Sequence, residues 1–393
     1  MSSDKLVTPE LIQEGERVMR ICNACRYCEG FCAVFPAMER RLGFEEKDLN
    51  YLANLCHNCT ECYYACQYDP PHEFELNFPK TLAEIRMETY QKYAWPGFLA
   101  GLYRNNGVVT SIVTAFSIVA ILLIIMFVSD PGVLYKAFSD QKGGFYNVMS
   151  HHAMVYTFGA VALFIAAAFV IGFVRFMEDT GGKLGAMLSP TYIGQALSDT
   201  LKLRYLDGGE GEGCAYPDEQ PSNARRNYHH LTFYGFMLCF AATAVGTFNH
   251  YVMGWQTPPP LIALLGGSGN EPFNLLRSLP PILGSLGGLG LLIGPLGLLW
   301  IKGRRNSELA DKRQNGMDAG FLVLLFLTSL TGFFLMYFRQ TALVGTFVVL
   351  HLGVVMGLFL TMPYGKFVHG IYRFGALLRN AYEDRNMEKL GSE

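Results

Sequence analysis

Residues 21–32 read ICNACRYCEGFC, and residues 55–66 read LCHNCTECYYAC. Both have the spacing C-x2-C-x2-C-x3-C, and together they hold eight of the ten cysteines. Thiolates are soft ligands that hold iron–sulfur clusters or zinc. Three cysteines at this spacing wrap one cubane, and the fourth ordinarily ligates the other cluster of a pair. Structural zinc sites instead use four ligands, often as two separated C-x2-C pairs. Two repeats of four therefore point to two [4Fe–4S] clusters, with zinc as the alternative. The crossed assignment gives Cys22, Cys25, Cys28 and Cys66 to one cluster, and Cys56, Cys59, Cys62 and Cys32 to the other. Pro36 and Pro70 lie four residues past the last cysteine of each knot rather than next to it. That departure leaves the choice of fourth ligand open. His57 and His72 lie close to the knots and are expected to make ordinary polar contacts.

Outward from the knots, the chain changes character. It has 393 residues, of which 51% are hydrophobic and only 16% charged, against about 25% charged in a soluble protein. The deficit lies beyond the first hundred residues. Net charge is −2, so the overall balance names no partner, and nucleic acid is not among those expected. The N-terminus, MSSDKLVTPELIQEGERV, lacks the apolar core of a secretory signal. The cysteine domain is therefore expected to stay in the reducing cytoplasm, where disulfides are rare.

A spanning helix needs about 20 apolar residues. Six stretches qualify, at 107–129, 153–174, 231–253, 280–301, 319–338 and 344–362. The fourth, PPILGSLGGLGLLIGPLGLLWI, carries small residues that let a neighbouring helix approach closely. It is not a nucleotide cradle, because no strand precedes it. The loops between spans, from the first to the fifth, hold two, six, one, five and one Lys/Arg, and the tail holds five. Positive charge marks the cytoplasmic side, so both termini are expected there, in a bacterial inner membrane. The segment DGGEGEGCAYPDEQPS at 207–222 reads as a flexible acidic linker. Three regions follow: a cytoplasmic iron–sulfur domain over 1–95, a membrane domain over 96–378 and a cytoplasmic tail over 379–393.

Seven of the nine histidines lie beyond residue 106. Ligating residues inside a bundle are functional by default, and haem iron takes axial histidines. His351 and His369, 18 residues apart, are expected on one face of the last helix, about 27 Å apart. The third span offers His229 and His230 at one end and His250 at the other, and His151 and His152 begin the second. This predicts one or two b-type haems: an inner one on His369 with His229 or His230, and an outer one on His351 with His250, His151 or His152. No C-x-x-C-H motif indicates covalent haem. Cys239, in the third span, is expected to be a buried small residue, and Cys214 has no assigned role.

Clusters and haems make a one-electron wire. No G-x-G-x-x-G opens a helix after a strand, so a flavin or nicotinamide donor must come with a partner. The membrane end should pass electrons to a lipid-soluble quinone. The chain would then be the electron-transfer subunit of a quinone-reducing oxidoreductase. Two other classes remain: a quinone-linked subunit of a heterodisulfide-reductase-like complex, and a redox sensor or transporter.

The two knots, together with CQYDPPHEFELNFP, GCAYPDEQPSNARRNYHHLTFYGFMLCFAAT, LLIGPLGLLW, FLTSLTGFFLMYF and MPYGKFVHGIYRF, carry a resemblance over nearly the whole chain. It resembles the tricarballylate-utilization protein B family, also called CitB-type citrate-utilization proteins. The membrane half is similar in plan to the haem-b subunits of respiratory nitrate reductase. The resemblance implies a mainly α fold, a ferredoxin-like domain with two [4Fe–4S] clusters followed by a six-helix transmembrane haem-b bundle. It also implies the partner: an FAD-containing dehydrogenase of tricarballylate or a related tricarboxylate, whose reduced FAD this chain would reoxidise.

Overall fold

The computed structural model describes residues 8–138, 144–182, 184–209, 211–255 and 274–390. The expected outer loop 254–279 thus lies outside the described residues from 256 to 273, and the expected tail does so at 391–393.

The cysteine domain is helical. Helix α1 (Pro9–Cys25) starts where the Thr8 hydroxyl accepts from Leu11 N, with proline in the first turn, where its missing N–H costs nothing. Helices α2 (Val34–Glu39), α3 (Glu46–Leu55), α4 (Glu61–Tyr64) and α5 (Phe78–Tyr93) follow. A capping box formed by Glu45 and Asp48 opens α3, and the Asn77 side chain accepts from Lys80 N to open α5. Val18, Met19, Leu49, Leu52, Leu82 and Ile85 are fully buried and join α1, α3 and α5 into one core.

Six helices are long and apolar enough to cross a membrane. They are α6 (Asn106–Val128), α7 (His151–Asp179), α9 (Ala224–Tyr251), α10 (Leu275–Arg304), α11 (Arg313–Phe338) and α12 (Val344–Thr361). Helix α8 (Pro190–Lys202) lies between the second and third. The sixth span is the centre of the bundle, because 61% of its apolar window is buried against 11–39% for the others. Helices α9 and α10 touch backbone to backbone. A Cβ added at Gly235 would lie 2.8 Å from Gly287 O, and one at Gly290 would lie 2.7 Å from Leu231 O. The glycines of the fourth span thus do what their composition predicts.

The last helix is not continuous. Helix α12 ends at Thr361, a short turn covers Met362–Tyr364, and α13 (Val368–Leu390) begins anew. The expected shared face of His351 and His369 is therefore corrected. Pro363 brings no N–H to the helix ladder, and Gly365 is extended. The freed carbonyls find donors: Tyr103 Oη donates to Pro363 O at 2.8 Å, and Asn106 Nδ2 to Tyr364 O at 2.6 Å. The break turns α13 onto the cysteine domain, where Tyr372, Ala376 and Leu377 enter the core of α1, α3 and α5.

The segment 207–222 also differs from expectation. Residues Cys214–Ala215 (β1) and Pro221–Ser222 (β2) pair antiparallel, with Cys214 opposite Ser222. This hairpin is not a free linker: Thr60 Oγ1 donates to Ala215 O at 2.7 Å, and Ala215 N donates to Glu61 Oε2 at 2.5 Å. It is seated on the second cysteine knot.

Candidate functional site

Each knot hangs from the C-terminal end of a helix. Cys22 and Cys25 occupy the last turn of α1, which Arg26 ends at φ 57°. Cys56 caps α3, and Asn58 and Thr60 follow at φ 52° and 68°. Left-handed backbone is costly for a residue with a Cβ, and these three instances all fall inside C-x2-C loops. They fold successive cysteines back toward a common space rather than along a helix.

Two cavities lie among the sulfurs. Cys22, Cys25, Cys28, Cys62 and Cys66 line one. Cys32, Cys56, Cys59 and Cys62 line the other. No disulfide joins any of the eight. Two backbone N–H groups donate to sulfur, Asn58 N to Cys56 Sγ at 3.3 Å and Tyr68 N to Cys66 Sγ at 3.4 Å. Burial, reinforced by the neighbouring thiols, pushes Cys28 up to about 12 and holds Cys32 and Cys62 well above the usual thiol range. Thiolates so crowded need a positive core among them, which an iron–sulfur centre provides. Among the described residues, no three Cys, His, Asp or Glu converge tightly enough for a single ion. The cysteines line two cavities, which cubanes would occupy.

The second knot is gripped from three helices. Arg86 on α5 donates to Ala53 O at 3.0 Å and Cys56 O at 2.6 Å. Arg373 on α13 donates to Cys56 O at 2.5 Å and to His57 Nδ1 at 2.9 Å. Arg225 on α9 donates to His57 O at 2.7 Å and Asn58 O at 2.8 Å. His57 is buried, and burial together with Arg373 and Arg225 keeps its pKa well below the usual imidazole value. It is a neutral acceptor, and His72 Nδ1 likewise accepts from Phe74 N at 3.1 Å. Both are the polar contacts expected. Cys214 is buried in a small core against which Cys59 packs. The sequence carries a signal for the clamp: Arg225 and His229, and His369 and Arg373, are each four residues apart and share a helix face.

One turn along those two helices the histidine rings meet. His229 and His369 have ring centroids 6.1 Å apart, at 79°. His230 turns instead to Tyr234, with centroids 5.6 Å apart. His229 Nδ1 is buried and without a hydrogen-bond partner, and His369 Nδ1 lies 2.5 Å from Lys366 O. Two imidazoles from facing helices, one with an orphaned nitrogen, fit the axial ligation of an iron. Beside them Asp318 accepts from Lys302 Nζ at 2.5 Å and is ion-paired with Lys366 Nζ at 2.8 Å.

At the far end of the bundle His151 and His250 have centroids 4.7 Å apart, with His152 and Tyr251 adjoining. His351 stands apart from them. Its Nδ1 is 3.1 Å from Thr331 Oγ1, and the absent side chain of Gly332 makes room for its ring. Among the described residues His351 makes no hydrogen bond or ring contact with His151, His152 or His250.

Two family models match the chain: the Fer4-like domain of citrate utilization protein B over residues 15–92, and citrate utilization protein B over residues 105–389. A protein from Escherichia coli, "Citrate utilization protein B", is 47% identical over 386 residues, covering 98% of this chain and 96% of that protein. No solved structure matches.

Proposed function

Since the chain belongs to the citrate utilization protein B family, we propose that it is the membrane electron-transfer partner of a flavin dehydrogenase. It would reoxidise the reduced FAD of a tricarballylate or related tricarboxylate dehydrogenase and deliver the electrons to the quinone pool. Two [4Fe–4S] clusters and b-type haem supply the one-electron chemistry when bound. Cys22, Cys25, Cys28 and Cys66 would hold the cluster nearer the partner, in the knot where Tyr27, Glu29 and Gln67 are exposed. Cys56, Cys59, Cys62 and Cys32 would hold the cluster nearer the membrane. His229 and His369 would hold the inner haem; His351, expected with His250, His151 or His152, stands apart from all three and would take a second only without them. The positive-inside count supports a bacterial inner-membrane protein with both termini cytoplasmic.

The observation that carries the proposal is the shared scaffold of knot and histidine pair. Arg225 and Arg373 grip residues 56–58, and one turn away on the same helices His229 and His369 face each other. The spacing between cysteine site and histidine site is thereby set by two rigid helices rather than by a linker.

The test is composition and partnership. Protein purified without air in detergent is assayed for iron, acid-labile sulfide and haem, and co-purifying subunits are identified. The expected result is about eight cluster irons, haem, and an FAD-containing subunit that the tricarboxylate reduces. Zinc in place of iron would sink the electron-transfer function. A cysteine-rich thiol–disulfide partner would replace the flavin donor with the heterodisulfide class.

A further inference from the structure

The two groups of cysteines sit in opposite electrical surroundings. Three guanidinium groups, Arg86, Arg225 and Arg373, bond directly to the backbone of residues 53–58, which carries Cys56. Among the described residues no carboxylate is salt-bridged to any of the three. The nearby lysines differ: Lys302 and Lys366 share Asp318. Around Cys22, Cys25, Cys28 and Cys66 the surroundings are acidic or wet. The carboxylate of Asp69 acts on Cys66, Glu29 is exposed beside Cys28, and Arg26 is exposed to solvent that screens it; the one carboxylate lining the other cavity, Glu61, accepts from Ala215 N.

Adding an electron to a thiolate-bound cluster makes an anionic centre more negative. Nearby fixed positive charge favours that reduced form, and more strongly where water is excluded. Burial alone acts the other way, since it disfavours the more highly charged state. Cys56 and His57 are buried, while Cys32, Cys59 and Cys62 are half-buried like Cys22, Cys25, Cys28 and Cys66, so the burial at Cys56 would, without the arginines, make the membrane-side cluster the harder of the two to reduce.

We infer that Arg86, Arg225 and Arg373 are positioning residues for electron flow. They raise the reduction potential at Cys32, Cys56, Cys59 and Cys62 above that at Cys22, Cys25, Cys28 and Cys66. The inference rests on the reading of the two quartets as cluster ligands. The step moves one electron and no atom: the partner-side centre is oxidised as the membrane-side centre is reduced, and the flavin of the partner is the source. The same arginines thus both fix the distance to the histidine pair and set the direction of transfer.

The test is a redox titration of the full chain in detergent, followed by electron paramagnetic resonance, with iron and sulfide measured on each preparation. Cys25→Ser, which removes one ligand of the partner-side group, identifies which signal belongs to which cluster. Wild type is expected to show two separate potentials, the membrane-side one higher. Arg225→Gln and Arg373→Gln are each expected to lower that potential and leave the other unmoved, and Arg225→Lys and Arg373→Lys to retain most of it. Iron-loaded variants with unmoved potentials, or with both lowered equally, would overturn the inference while leaving the electron-transfer function standing. A protein without iron would overturn both. The lysine variants keep the outcome decisive if a glutamine variant loses its fold, because a purely structural clamp predicts no link between charge and potential.

Discussion

Cys66 decides how the two knots share their ligands. It lies in the second knot by sequence and lines the cavity of Cys22, Cys25 and Cys28. If the assignment is crossed, Cys25→Ser and Cys66→Ser damage the same cluster. Each single variant and the double variant should then lose about four of about eight irons, measured with acid-labile sulfide. An uncrossed arrangement would lose both clusters in the double variant. The same logic applies to the imidazoles. His229→Ala and His369→Ala should each abolish one and the same haem signal in the optical spectrum, while His230→Ala leaves it, because His230 turns to Tyr234. That the cysteines line common cavities and that His229 meets His369 was legible in residue type and spacing. The arginine clamp was not, because Arg373 reaches its partner across 317 positions and no local pattern records such a meeting.

Among the elements, α13 has the largest consequence. Arg41 bonds Glu383 Oε1 at 2.7 Å and Asp48 at 2.9 Å, and Arg379 bonds Glu383 at 2.8 Å. Both guanidiniums lie over the buried Tyr51 ring, at 4.8 and 4.3 Å. Removing one member of a buried ion network strands the others and costs roughly 3–5 kcal/mol. Glu383→Ala should therefore release α13 from the cysteine domain, seen as new protease cleavage beyond residue 368 and weaker haem retention. In the bundle, Gly235→Val would drive a side chain into Gly287 O and part α9 from α10. That should lower the ratio of haem to cluster iron, since His229 moves while the cysteines do not. The six spans were legible to within a few residues at most ends because apolar length is a local property. The break before α13 was written in MPYG but masked by an arithmetic that assumed one continuous helix. The hairpin at 214–222 was hidden by a composition that reads as loop, since its docking on Thr60 and Glu61 lies about 155 positions away.

At the scale of the molecule, one chain joins a Fer4-like domain to six helices long enough to cross a membrane. The joint is not a tether. Helix α13 enters the core of the cysteine domain, and Arg225 at the start of α9 holds the second knot. On the proposed function, electrons that enter at the exposed knot would have a fixed course toward the histidine pair, and then along the bundle. The measurement that tests this course most directly is rapid mixing of dithionite-reduced protein with a quinone analogue, in wild type and His369→Ala. Haem and cluster absorbance should both reoxidise quickly in wild type. In the variant the clusters should stay reduced while the fold and iron content hold. Clusters reoxidised equally fast without His369, or a wild type that quinone leaves reduced, would contradict the wire.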